Sequence, residues 1–137
     1  MNVLKSPSTI RTVIAVVDDM FFVSKIRATG KALGMIVKFP RSADAFRATV
    51  SDEAPHLIVV DLHNEKMNPF DLAAEVKGDE RLKDIPLLGF FSHVQVELQR
   101  RAGDAGYDQI LPRSLFARDL ANILAGEANK PDGKDAN

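Results

Sequence analysis

Val13-Ile14-Ala15-Val16-Val17-Asp18-Asp19 and Leu57-Ile58-Val59-Val60-Asp61 decide the fold of this chain. Each segment is a run of four or five apolar residues, rich in Val and Ile, that ends abruptly in carboxylate. Short apolar runs without polar alternation are the pattern of strands buried on both faces of a parallel sheet. Adjacent strands of that kind set Asp18, Asp19 and Asp61 at one sheet edge. Three negative charges gathered there repel one another. A cation among them relieves the repulsion, and hard oxygen ligands suit magnesium.

Working outward, strands are expected at Thr12 to Val17, Met35 to Phe39, Leu57 to Val60, Ile85 to Phe91 and Asp108 to Leu111. Phe22, Val23, Ile26, Gly30 and Leu33 recur at helical spacing between the first two strands, and Gly34 closes that helix. Ser42 caps a second helix to about Ser51, with Ala45, Phe46 and Val50 inward. Asn68 caps a third that opens on Pro69 and reaches about Lys77. The stretch Gly78 to Asp84 reads as charged and exposed. A fourth helix is expected from Val94 to Ala105, ended by Gly106. Ser114 caps a last helix with Phe116, Leu120, Ile123 and Leu124 inward. Strands alternating with helices demand right-handed crossovers and a parallel sheet covered on both faces. Such sheets bind ligands at the carboxyl ends of their strands, where all three aspartates lie.

The 137 residues suit one domain with a real core, at 45% apolar and 27% charged. Residues 1–11 read as a flexible leader, 12–125 as the domain, and 126–137 as a polar tail. The net charge of −1 gives no field favouring nucleic acid or an anionic membrane. The absence of cysteine excludes disulfides, thiolate metal sites and cysteine nucleophiles. No apolar stretch reaches membrane-spanning length, and no signal-peptide core precedes Thr12. A cytoplasmic protein is expected.

The chain resembles the receiver domain of two-component response regulators, flavodoxin-like domains of the chemotaxis-regulator kind. Val16-Val17-Asp18-Asp19 looks like the family's acidic pair. Pro55 to Leu62 looks like the strand ending in the phosphoacceptor. Asp84-Ile85-Pro86-Leu87-Leu88 resembles the entry to the fourth strand, and Ala105-Gly106-Tyr107-Asp108 the turn before the fifth. The likeness spans Thr12 to Ala125 and runs without a gap from Asp61 to Arg113. It implies a five-stranded parallel sheet of order 2-1-3-4-5. It also implies that Asp61 accepts a phosphoryl group, with magnesium held by Asp18, Asp19, Asp61 and the backbone carbonyl of His63. The implied partners are a sensor histidine kinase or phosphotransfer protein and a downstream protein on the face of the fourth helix, fifth strand and fifth helix. Homodimerisation through that face is common in the family. Output is expected through another protein, with no catalysis beyond the domain's own phosphorylation and dephosphorylation.

The chain departs from the family at its switch. The position of the switch threonine or serine is Phe91, with Ser92 beside it. The family lysine is replaced by Arg113, which is longer, planar and able to grip two oxygens at once. The rotating aromatic residue is replaced by Ile110, and Glu65 and Lys66 stand in the loop that usually carries a proline. Two uses fit these residues: a phosphorylated receiver with a variant switch, and a phosphorylation-independent interaction module in which Arg113 neutralises the carboxylates. A magnesium enzyme acting on a small phosphoester would need His63 or His93 as acid or base. Asp61-Leu62-His63 lacks the glycine of the cobalamin motif, having Lys66 in its place. Asp18-Asp19-Met20 lacks the spacing of a dehalogenase-type phosphatase. No glycine-rich phosphate loop is visible.

Overall fold

A computed structural model describes residues 10–92 and 95–127. Most of the expected leader, His93, Val94 and most of the tail lie outside the described residues. Among those described, β1 (Thr12–Val16), α1 (Met20–Ala32), β2 (Ile36–Lys38), α2 (Ala43–Asp52), β3 (Leu57–Asp61), α3 (Pro69–Lys77), β4 (Leu87–Phe91), α4 (Val96–Ala105), β5 (Gln109–Pro112), α5 (Arg113–Arg118) and α6 (Leu120–Ala125) follow in order. The five strands form one sheet in the order β2-β1-β3-β4-β5. Every neighbouring pair is parallel, as the buried apolar runs require.

Side chains that alternate along the strands feed two cores. Val13, Ala15, Val59, Leu88 and Phe90 face α1, α5 and α6, where they meet Phe22, Ile26, Phe116 and Leu124. Ile14, Val16, Ile58, Val60, Leu87 and Phe91 face α2, α3 and α4, where they meet Phe46, Leu72, Val76 and Ala102. Phe90 and Phe116 stack at 4.3 Å between ring centroids, with Phe22 tilted against both.

Local chemistry sets the element ends. Asp19, Ser42 and Asn68 accept N–H groups from the first turns of α1, α2 and α3. Gly106 ends α4 at φ 117°, a left-handed conformation that side chains rarely adopt.

Besides shifts of one residue at the ends of β1, β2, β3 and β5, four expectations need correction. The strand before Phe91 begins at Leu87 rather than Ile85, because Pro86 has no N–H for the ladder, although its carbonyl accepts from Ile58. The stretch 78–84 is not uniformly exposed: Leu82 is buried beside α3. Ser114 is not a cap. The helix starts at Arg113 after Pro112, whose fixed φ suits helix entry. The last helix divides at Asp119, giving α5 and α6, while its inner face holds the four expected residues. No helix among the described residues is long and apolar enough to cross a membrane.

Candidate functional site

The register brings the aspartates to one edge. Val16 pairs with Val60 across β1 and β3, so Asp61 is one step beyond that pair and Asp18 two steps beyond it. Asp61 itself pairs with Phe90 of β4. The Asp61 carboxylate is half-buried and accepts the His63 N–H at 2.9 Å. Burial pushes its pKa above the usual value. The His63 N–H and the nearby imidazole pull it down, Asp19 raises it and Arg113 lowers it. Asp61, Asp19, His63 and Arg113 thus act on one another at the carboxyl end of the sheet.

The three aspartate side chains are already engaged by groups of the protein. Asp18 is engaged by two cations: Arg41 Nη2 at 3.3 Å from Oδ1 and Lys66 Nζ at 3.5 Å from Oδ2. Asp19 turns one oxygen to α1, accepting from Phe21 N at 2.8 Å. Its other oxygen faces Arg113 Nη2 at 3.7 Å. Arg113 also lies over the Phe22 ring, 4.7 Å from its centroid, which holds the guanidinium at this corner. Among the described residues, no three acidic or histidine side chains are grouped as metal ligands would be. The residue types suit magnesium; their arrangement here does not present a cage for it.

The expected switch positions are apolar and packed. Phe91 is 6% exposed and belongs to the core on the α2–α4 face, and Ile110 packs against the same cluster. The Phe91 ring therefore lies in the core rather than beside Asp61, whose partner across the sheet is Phe90. Ser92 is exposed. It lines a groove of about 460 Å³ with Phe21, Phe22, Phe91, Arg113 and Ser114, between the starts of α1 and α5. Another cavity, of about 300 Å³, opens at the other end of the sheet near Arg11, Pro86 and Asp108.

Sequence reasoning missed Arg41 as part of this corner and noted Lys66 as a loop departure and as the residue in place of the cobalamin-motif glycine, not as a partner of Asp18. Neither stands at a spacing that marks it. Lys66 carries a weak signal, since it lies in the loop that leaves Asp61. Arg41 comes from the β2–α2 loop and carries none.

No protein-family model matches the sequence, and no curated protein sequence matches it. Solved structures do match in shape. The chemotaxis response regulator CheY4 of Vibrio cholerae superposes with a TM-score of 0.74 at 19% identity, covering 86% of this chain and 98% of that one. The phosphorylated cyanobacterial phytochrome response regulator RcpA gives 0.72 at 20% identity, covering 94% and 98%. The receiver domain of a sensor histidine kinase from Pseudomonas aeruginosa PAO1, described with a magnesium ion coordinated in its active-site cleft, gives 0.74 at 15% identity, covering 89% and 100%. The chain has the receiver-domain fold.

Proposed function

We propose that this chain is a signal receiver in a two-component phosphorelay, accepting a phosphoryl group on Asp61 from a sensor histidine kinase or a phosphotransfer protein. The observation that carries this reading is the position of Asp61: half-buried at the carboxyl end of a central strand, with Asp19 and Arg113 acting on it. In the transfer, an Asp61 oxygen bonds to phosphorus while the bond to the donor's leaving atom breaks. The carboxylate attacks as an anion, so no protein base is required. A carboxylate approaching a phosphoryl group meets like charge, and the Arg113 guanidinium offsets it and can grip two phosphoryl oxygens.

Magnesium, when bound, supplies further charge neutralisation between the two anions. Asp18, Asp19, Asp61 and the His63 carbonyl are the groups that would hold it, and Asp18 must leave Arg41 and Lys66 to do so. The added phosphoryl charge then alters the face of α4, β5 and α5, which a partner protein reads. That partner is a downstream protein or a second copy of the chain. The setting is the cytoplasm, and the only chemistry is the receiver's own phosphorylation and dephosphorylation.

A second reading is favoured by Phe91 and Ile110, packed in one core layer where receivers carry a hydroxyl and a rotating aromatic ring. Under it, the chain is an interaction module that does not use phosphate. Acetyl phosphate with magnesium, followed by intact mass, separates the two. The first reading expects one phosphoryl adduct on the wild type and none on Asp61→Asn. No adduct at saturating donor leaves the second.

A further inference from the structure

At the end of the sheet away from Asp61, the cavity of about 300 Å³ is lined by side chains of two kinds. Leu57 of β3, Leu88 of β4 and Ile123 of α6 give it apolar walls continuous with the core under α1, α5 and α6. Arg11, just before β1, gives it a cation. Arg11 is half-buried, and its Nε donates to the Leu124 carbonyl at 2.5 Å. The guanidinium lies against Gly126, where a Cβ would come within 2.8 Å of Nη2 and 3.2 Å of Cζ. The fork is therefore held in place, yet Nη1 and Nη2 have no acceptor and the charge has no ion-pair partner among the described residues. Burial lowers the pKa of the group, as it does for a cation taken from water without compensation. The carboxylate on the lining, Asp108, is already committed: it accepts from Leu87 N at 2.8 Å and pairs with Lys77 Nζ at 3.1 Å. The cavity thus sets one uncompensated positive charge beside apolar walls.

We propose that this cavity is a binding site for a small organic monocarboxylate, its carboxylate gripped by the Arg11 fork and its apolar body seated against Leu57, Leu88 and Ile123. The ligand class follows from the lining. One positive charge calls for one negative charge, and a guanidinium meets a carboxylate through two parallel hydrogen bonds. A small anion without an apolar part leaves the walls wetted, and a neutral ring leaves the cation unpaired. A concave, mostly apolar site with a few placed polar groups is the usual form of a small-molecule pocket, and this volume is at the small end of that range, enough for a single ring. The Gln109 amide, also on the lining, adds a neutral donor and acceptor. Leu57 and Gln109 are the first residues of β3 and β5, so the site lies at the amino ends of the strands, opposite the edge that carries Asp61. It goes beyond the receiver reading and requires neither magnesium nor phosphate.

The test is amide NMR titration of the full chain with benzoate, benzamide and acetate, with neither magnesium nor phosphoryl donor present. Benzamide keeps the ring and lacks the charge, whereas acetate keeps the charge and lacks the ring. The proposal expects saturable shifts with millimolar benzoate, centred on Arg11, Leu57, Leu88, Gln109 and Gly126. Benzamide and acetate should each bind at least about tenfold more weakly, the first from loss of the charge-assisted pair and the second from loss of apolar burial. Arg11→Gln should weaken benzoate binding by at least about tenfold. Arg118→Gln, which removes the same charge from an exposed pair with Asp119, should leave it unchanged. Arg11→Gln also loses the bond to Leu124, so its amide spectrum is checked before titration. If that variant does not fold, the three probes on wild type decide alone. No saturable benzoate shifts, equal binding of benzamide or acetate, shifts centred on Asp61, or undiminished binding by a folded Arg11→Gln would overturn the proposal. Phosphorylation of Asp61 is read separately by mass, so failure of the receiver reading and failure of this site give different results.

Discussion

Asp61 shows how one side chain sets a conflict between folding and chemistry. Burial raises its pKa above the ordinary value, and the His63 N–H only partly offsets this. Between the ordinary pKa and the raised one, the folded chain binds more protons than the unfolded chain. Stability therefore falls as pH rises through that window, and the ionised carboxylate works against folding at neutral pH. Asp61→Asn is expected to be more stable than wild type at pH 7. The gain should close as pH falls below about 4, where the unfolded carboxyl also protonates. Urea unfolding at the two pH values measures it, and a wild type equal or superior at pH 7 would mean that the hydrogen bond outweighs burial. Phe91 makes the opposite case, a side chain whose place is fixed by packing. Phe91→Thr introduces a hydroxyl but removes most of a ring that is 6% exposed. It should lower unfolding free energy by about 3 kcal/mol, a cost that a solvent-facing switch residue would not incur.

At the scale of elements, the helix starts at Ser42 and Asn68 were legible because their signals are local, whereas the cap expected at Ser114 is not one. Ser42 and Asn68 each cap the helix that begins at the next residue, as a short polar side chain before an apolar pattern predicts. The strands were legible because unbroken apolar runs closing in Asp have few other uses. The boundaries that slipped had local causes too weak to read in advance, such as the missing N–H of Pro86 and the break at Asp119. Contacts between elements were not legible. Gly89 illustrates one: a Cβ there would lie 2.8 Å from Leu62 Cδ2 and 3.0 Å from Cγ. The absent side chain of β4 thus makes room for Leu62, the residue that follows Asp61 and anchors the start of its loop in the core. Gly89→Ala should cost about 1–3 kcal/mol by overpacking. Amide shifts should appear at Asp61 and His63 as Leu62 is displaced, and shifts confined to β4 would show that the loop is not held this way.

Across the whole molecule, the layered sheet followed from the order of elements, while the pairing of its loops did not. Arg41 and Lys66 meet Asp18 only because the crossovers return their loops to the same edge, and exposed pairs of this kind leave no periodic trace in sequence. Tyr107 makes a comparable long-range tie on the α3–α4 side. Its hydroxyl donates to the Pro69 carbonyl at 2.8 Å, joining the turn before β5 to the first residue of α3. The side chain is buried, and burial pushes its pKa well above the ordinary value. The unfolded chain therefore releases this proton at lower pH than the folded chain, near pH 10. Stability contributed by the neutral phenol is present below that pH and declines above it. Tyr107→Phe removes one buried hydrogen bond and should be about 1 kcal/mol less stable than wild type at pH 7. It also removes the ionisable group, so its stability should fall less steeply above pH 10. Denaturant unfolding of both proteins from neutral to alkaline pH should show the two curves converging. Parallel curves throughout would mean that Tyr107 ionises without cost, contradicting its burial between the fourth helix and the third.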